Sequence, residues 1–202
     1  MRYQFLIDSY ETERLKVASV WSMFRDDDLP ARPHVSDGRG RSVLEQMIHQ
    51  CVSENNWFRS MLGIDVGAPP LPDIESRLGF IQRYAEDSLR RLDALRHQRE
   101  EWWEEEATFF DVPRSRAWVM VRRIAHTAHH RGQQMAMLRM LDRDLHSNYG
   151  PTADTGGLAQ NGARVIYAYE SMDALLEGEA AGGRKSTLPG PGQKPVTERN
   201  QP

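Results

Sequence analysis

The chain has 202 residues, and its 26 Lys and Arg stand against 29 Asp and Glu, a formal net charge of -3. The two signs are interspersed rather than gathered into a basic face, which argues against a nucleic-acid partner. With 39% hydrophobic residues there is enough material for a core, yet no uncharged apolar run approaches the roughly 20 residues of a membrane span, so a soluble protein without a membrane partner is expected. The single cysteine, Cys51, excludes an internal disulfide framework and a cysteine-built metal cluster. The N-terminus lacks the apolar stretch of a signal peptide, which makes the cytoplasm the expected location.

From Tyr3 to Phe24 the apolar residues Leu6, Tyr10, Val17, Val20, Trp21 and Phe24 recur at three- and four-residue steps, the period of one helix face. That first helix stops in Asp26-Asp27-Asp28-Leu29-Pro30, and Pro33, Gly38 and Gly40 continue a loop. Ser42 is a suitable cap for a second helix whose stripe, Val43, Met47, Cys51, Phe58 and Leu62, ends at Gly63. After the proline-rich connector 67–72, Asp73 is the expected cap of a third helix traced by Ile74, Leu78, Ile81, Ala85, Leu89, Leu92 and Leu95. Glu100 to Val112 has no clean period and reads as a loop packing its aromatics on a bundle end. Pro113 then suits the first turn of a fourth and longest helix, over Arg114 to Leu141. No segment has the alternating Val/Ile/Thr pattern of a sheet, so the fold class is all-α, a four-helix bundle. Beyond it, Val165, Tyr169, Met172 and Leu176 predict a short amphipathic helix closed by Gly178. The rest is rich in Gly and Pro and has no aromatic residue, so a globular domain over 1–177 followed by a disordered tail over 178–202 is expected.

The chemistry-bearing residues lie on the fourth helix. At about 100° per residue, His126 and His130 fall within about 40° of each other, so both imidazoles face one way, a turn apart, while His129 points elsewhere. Such a pair converges on one ion if a third ligand arrives from another helix, and His49, at the edge of the second helix's apolar arc, is placed to supply it. The wheel permits this without demanding it. The spacing alone leaves open ordinary histidines satisfied by hydrogen bonds.

The stretch Ile124-Ala125-His126-Thr127-Ala128-His129-His130-Arg131-Gly132-Gln133 resembles the closing signature of the DinB/YfiT-like family, whose last bundle helix carries an HxxxHRGQ-type motif. Val43-Leu44-Glu45-Gln46-Met47-Ile48-His49 is similar to the family's second-helix segment, and Glu13-Arg14-Leu15 to a sequence frequent in its first helix. The resemblance covers roughly residues 3 to 145. It implies a DinB-like four-helix bundle, commonly a homodimer, holding a divalent metal such as zinc or nickel on His49, His126 and His130. The extension from Tyr149 to Leu176 lies outside the pattern. Three imidazoles leave a coordination position open, as a catalytic site does. Metal there lowers the pKa of bound water or thiol. Several relatives in the family are bacterial thiol S-transferases, which implies an enzyme joining a low-molecular-weight thiol to an electrophile. The alternatives are a non-catalytic, metal-stabilised stress-response module and a metal-dependent hydrolase.

Other residues carry two readings each. Glu13 sits at the centre of the first helix's apolar stripe and needs a partner. It is either a catalytic base or outer-shell group near the metal, or a carboxylate paired with an arginine. Glu45, one turn before His49, could orient it or simply be solvated. Arg131 is a candidate for binding an anionic cofactor group, against an ordinary ion pair. Gly132, on a face with Val121, Ala125, Ala128 and Ala136, suggests a backbone passing close by, from a bundle neighbour or a dimer mate. Cys51 reads as core rather than nucleophile.

Overall fold

The protein was analysed as a computed structural model that describes residues 2–193. Four long helices, α1 (Gln4–Met23), α2 (Val43–Met61), α3 (Arg77–Arg96) and α5 (Arg116–Met140), are joined by a short α4 (Glu100–Glu104) and a hairpin of β1 (Glu106–Phe109) and β2 (Val112–Ser115). A C-terminal α6 (Met172–Ala180) follows. α1 packs along both α3 and α5, α2 along α5, and α6 crosses α1 and α3. None of these helices is long and apolar enough to cross a membrane.

The helix starts follow from local chemistry. Ser42 and Glu45 form a reciprocal capping box, the Glu45 amide donating to Ser42 Oγ and the Ser42 amide to Glu45 Oε2, which satisfies two otherwise orphaned donors. The second helix ends as the sequence predicts, with Gly63 at φ +69°, a left-handed turn that lets the Ile64 amide reach Phe58 O at 2.8 Å. Two apolar clusters fill the bundle. One surrounds Trp21 with Val17, Met47, Cys51, Phe80, Ile81, Tyr84 and Leu138. The other joins Ile7, Tyr10, Phe58, Leu62, Leu92, Leu95, Trp103 and Val119.

Three boundaries differ from the sequence reading. α3 begins at Arg77, capped by Ser76, whose hydroxyl accepts from the Gly79 amide; the connector runs on through Asp73 and Ile74, and Ile74 is exposed. The segment after α4 is a two-stranded antiparallel ribbon, with Glu106 opposite Ser115 and Phe109 opposite Val112. Four-residue strands are too short to show alternation, and Pro113, expected in the first turn of a helix, sits opposite Thr108 in β2, a place proline tolerates at a sheet edge. Ser115 caps α5 instead, its Oγ accepting from the Trp118 amide.

The expected C-terminal helix is also displaced. It begins at Met172 behind Ser171, so Val165 and Tyr169 precede it, and Gly178 lies inside it. A Cβ on Gly178 would stand 2.4 Å from Tyr169 Cε1, so glycine is required there by the close approach of a ring rather than as a stop. The first part of the expected tail is seated on the bundle. Glu179 is buried, receives Tyr169 Oη at 2.6 Å and pairs with Arg77 and with Lys185 at 2.8 Å. Lys185 Nζ also donates to Ser22 O, and His146 Nε2 meets Ser186 O at 3.0 Å. Composition could not show this, because the anchors are single polar contacts rather than a hydrophobic stripe. Residues 194–202 of the expected tail lie outside the described residues.

Candidate metal centre

Packing of α2 on α5 sets His49 against His126 and His130. The ring centroids are 4.5 Å apart for His126 and His130, 4.6 Å for His49 and His130, and 5.4 Å for His49 and His126. One ligating nitrogen from each of the three lies within 4.8 Å of the others, with no Asp, Glu or Cys in the group. The Nε2 atoms of His126 and His130 are 3.2 Å apart. Two nitrogens bound tetrahedrally at about 2.0–2.1 Å stand roughly 3.3 Å apart, so this pair already fits a divalent ion with little rearrangement.

The donor chemistry fits as well. Imidazole suits zinc, nickel and related divalent ions, provided it is neutral. Burial is the largest influence on all three rings, and neighbouring cations add to it: Arg123 at His126, and Arg41 with His49 at His130. His126 is held down at about 3 and His130 at about 4, and His49 is lowered by burial and by Arg41 and Arg123. Near neutral pH the rings therefore need no deprotonation before they bind a metal.

Gln46, one turn before His49, supports the site from α2. Its Oε1 lies 2.8 Å from His130 Nδ1, so that nitrogen carries the proton and donates, leaving Nε2 as a lone pair toward the other histidines. Gln46 Nε2 in turn donates to Gln133 Oε1 at 2.8 Å. The sequence reading passed over Gln46, although its place three residues before His49 puts both on one helix face. His126 Nδ1 is buried without a protein partner.

An aromatic wall borders His126. Trp57 lies 5.6 Å from it and 5.2 Å from Phe109, which in turn meets Trp118 at 5.0 Å. Of the aromatics expected to pack on a bundle end, Trp103 is buried with Trp102 and Phe109 packed against the same cluster, Phe110 is exposed, and the hairpin brings Phe109 to the edge of the site. Below it lies a buried charge network: Glu54 accepts from Tyr10 Oη at 2.6 Å and Arg91 at 3.3 Å, and Arg123 stands 3.9 Å away while donating to Ser53 and Thr127.

The remaining candidates fall elsewhere. His129 is exposed and meets Gln133 Nε2 at 3.0 Å, pointing off the site as the wheel predicts. Glu45 caps its own helix and pairs with Arg32 at 2.6 Å, so its observed partners do not include His49. Glu13 and Arg131 meet each other: the Arg131 guanidinium donates to Glu13 Oε2 and to Tyr149 Oη and stacks on the Tyr149 ring at 4.7 Å. Lys16 holds the other carboxylate oxygen at 3.2 Å. Arg131 has no exposed surface and Glu13 only 6%, so the arginine-paired reading describes Glu13, and Arg131 has no face turned to an incoming anion. Cys51 is buried and its thiol is pushed far up by desolvation and by Glu54, which fits a core residue. Among the described residues nothing lies within 4 Å of where a Cβ on Gly132 would stand, so of the two neighbours suggested by the glycine, the one within the bundle is not found.

A solved structure of a DinB-like protein from Bacillus cereus ATCC 10987 matches with a TM-score of 0.58 over 68% of this chain and 91% of that one, at 17% identity. At that identity the likeness carries the fold alone. No curated protein matches the chain at a significant level. The profile of the DinB family matches residues 5–154, most of the chain and every element from α1 through α5, and the chain therefore belongs to the DinB family.

Proposed function

We propose that the protein is a metal-dependent enzyme that joins a low-molecular-weight thiol to an electrophilic substrate at His49, His126 and His130. The observation that supports this most is the close approach of the three imidazoles without a fourth side-chain ligand in the group, which suits a site that keeps a position for an exogenous ligand. A divalent metal such as zinc or nickel held there supplies a lowered pKa to a coordinating thiol near neutral pH. The chain's part is to hold the rings neutral, orient His130 through Gln46, and offer the Trp57–Phe109 wall to the apolar body of an electrophile. Cys51, being buried, takes no part. Glu13, engaged by Arg131 and Lys16, is not free to act as a base.

The test is metal analysis of the purified protein followed by thiol-dependent consumption of electrophiles with bacillithiol, mycothiol, glutathione and cysteine. Stoichiometric metal with turnover by one thiol supports the reading. Metal without turnover by any of them moves the assignment to a metal-stabilised, non-catalytic module.

We also infer a homodimer through the open face of α5, where Val121, Ala125, Gly132 and Ala136 are exposed. Sedimentation should give a dimer that Val121→Glu dissociates; a monomer at micromolar concentration would refute it.

A further inference from the structure

The loop from α1 into α2 ends in a run that carries Arg32, Arg39 and Arg41, and two of these are spent. Arg32 donates to Gly40 O at 2.8 Å and pairs with Glu45 at 2.6 Å. Arg39 makes a bidentate pair with Asp37, at 2.9 Å from Nε and 2.6 Å from Nη2. Arg41 is exposed and has no ion pair or side-chain hydrogen bond among the described residues, yet its charge reaches both His49 and His130.

Arg41 also lines a cavity of about 280 Å³ bounded by Pro33, Gln46, Gln133, Met137 and Met140, with Arg39, already paired with Asp37, on its wall. No carboxylate lines it. The histidines do not line it, but Gln46 joins it to them, touching His130 with one amide atom and Gln133 with the other. The charge balance points the same way. Three neutral imidazoles leave a divalent ion's charge uncompensated, and the group contains no acid, so a ligand bringing one negative atom to the metal still leaves net positive charge around it.

We propose that the centre takes a ligand with an anionic group, carboxylate or phosphate, besides its metal-binding atom, and that Arg41 anchors that group in the cavity beside Gln46 and Gln133. This rests on metal binding by the three histidines but not on thiol transfer. A guanidinium is suited to the role because its planar fork pairs with both oxygens of such a group. Met137 and Met140 give the rest of the ligand an adaptable apolar floor. Arg41 thereby takes the anion-binding role that the sequence reading gave to Arg131.

The experiment uses the full-length protein loaded with cobalt(II) and titrated, by calorimetry and by the cobalt absorption spectrum, with mercaptosuccinate, 2-mercaptoethanol, succinate and inorganic phosphate. Wild type should bind mercaptosuccinate about tenfold more tightly than 2-mercaptoethanol, the scale of one charge-assisted contact, and added salt should erode the preference. Arg41→Ala should abolish it while leaving cobalt content and 2-mercaptoethanol affinity unchanged, and Arg41→Lys should keep part of it. If both thiols perturb the cobalt spectrum but the preference is absent, or survives in Arg41→Ala, the anchor is refuted while thiol binding stands. If neither thiol binds but succinate or phosphate does so in an Arg41-dependent way, the anchor stands and the transferase reading fails.

Discussion

Gln46 Oε1 and His130 Nδ1 lie 2.8 Å apart across the α2–α5 interface, so the tautomer of one histidine of the cluster is set by a residue on the other helix. Partners of this kind typically contribute about 10- to 100-fold to metal affinity. Gln46→Leu should therefore weaken zinc binding by about that range, measured by competition with a chromogenic chelator, with helical content unchanged. An affinity within threefold of wild type would remove Gln46 from the account.

The three clustered histidines should not be interchangeable with their neighbour. His126→Ala and His130→Ala should abolish stoichiometric metal binding and His49→Ala should weaken it severely, because two nitrogens do not offset dehydration of the ion. His129→Ala should bind metal as wild type does, since its ring is exposed and pairs with Gln133. Equal metal content in all four variants would show that the ion sits elsewhere.

Glu54 is nearly fully buried and faces Arg91 and Arg123, which are buried too. Removing one partner leaves guanidinium charge uncompensated in the core, at a typical cost of about 3–5 kcal/mol. Glu54→Gln should lower unfolding free energy by that order in urea titrations of the metal-free protein. A change under 1 kcal/mol would mean that water, rather than the carboxylate, compensates the arginines.

Glu13 and Arg131 should behave as a structural pair. Arg131→Met should destabilise the fold, by up to about 3 kcal/mol, because it removes the buried partner of Glu13 and leaves that carboxylate only Lys16, yet leave metal binding as in wild type. Glu13→Gln should leave the pH profile of any thiol-dependent turnover in place. A profile that loses its basic limb in Glu13→Gln would instead restore this carboxylate as a base.

Asp28 supplies a pH-dependent contribution. Burial alone would raise its pKa, but hydrogen bonds from Arg143 and from the Arg25 amide outweigh it and hold the folded-state value below that of the unfolded chain. The stabilisation is then fully present above the unfolded carboxylate value of about 4 and is lost as pH falls through the lower folded value. The stability difference between wild type and Asp28→Asn, both metal-free, should be constant from pH 7 to 5 and shrink below about pH 4. A difference that shrinks already above pH 5 would assign the effect to another group.

Much of the fold, and the shared face of His126 and His130, was legible in the sequence because both rest on helical period. Apolar steps of three and four residues located α1 and α2, Ser42 announced its cap, and the four-residue spacing of His126 and His130 placed both rings on one face. His49 was legible only through the family motif, since its wheel position allows either orientation. The hairpin was not legible, because pairing between Glu106–Phe109 and Val112–Ser115 is a relation between two four-residue segments and not a property of either. Tertiary packing alone decided how the polar groups are distributed: which arginine Glu13 meets, that Gln46 rather than Glu45 reaches the histidine cluster, and that, among the described residues, Arg41 has no ion pair while Arg32 and Arg39 have theirs. Hydrophobic periodicity fixes which face of a helix turns inward. The partner of a buried charge depends on what the neighbouring helix presents at that height, which is settled only when α1, α2, α3 and α5 have packed.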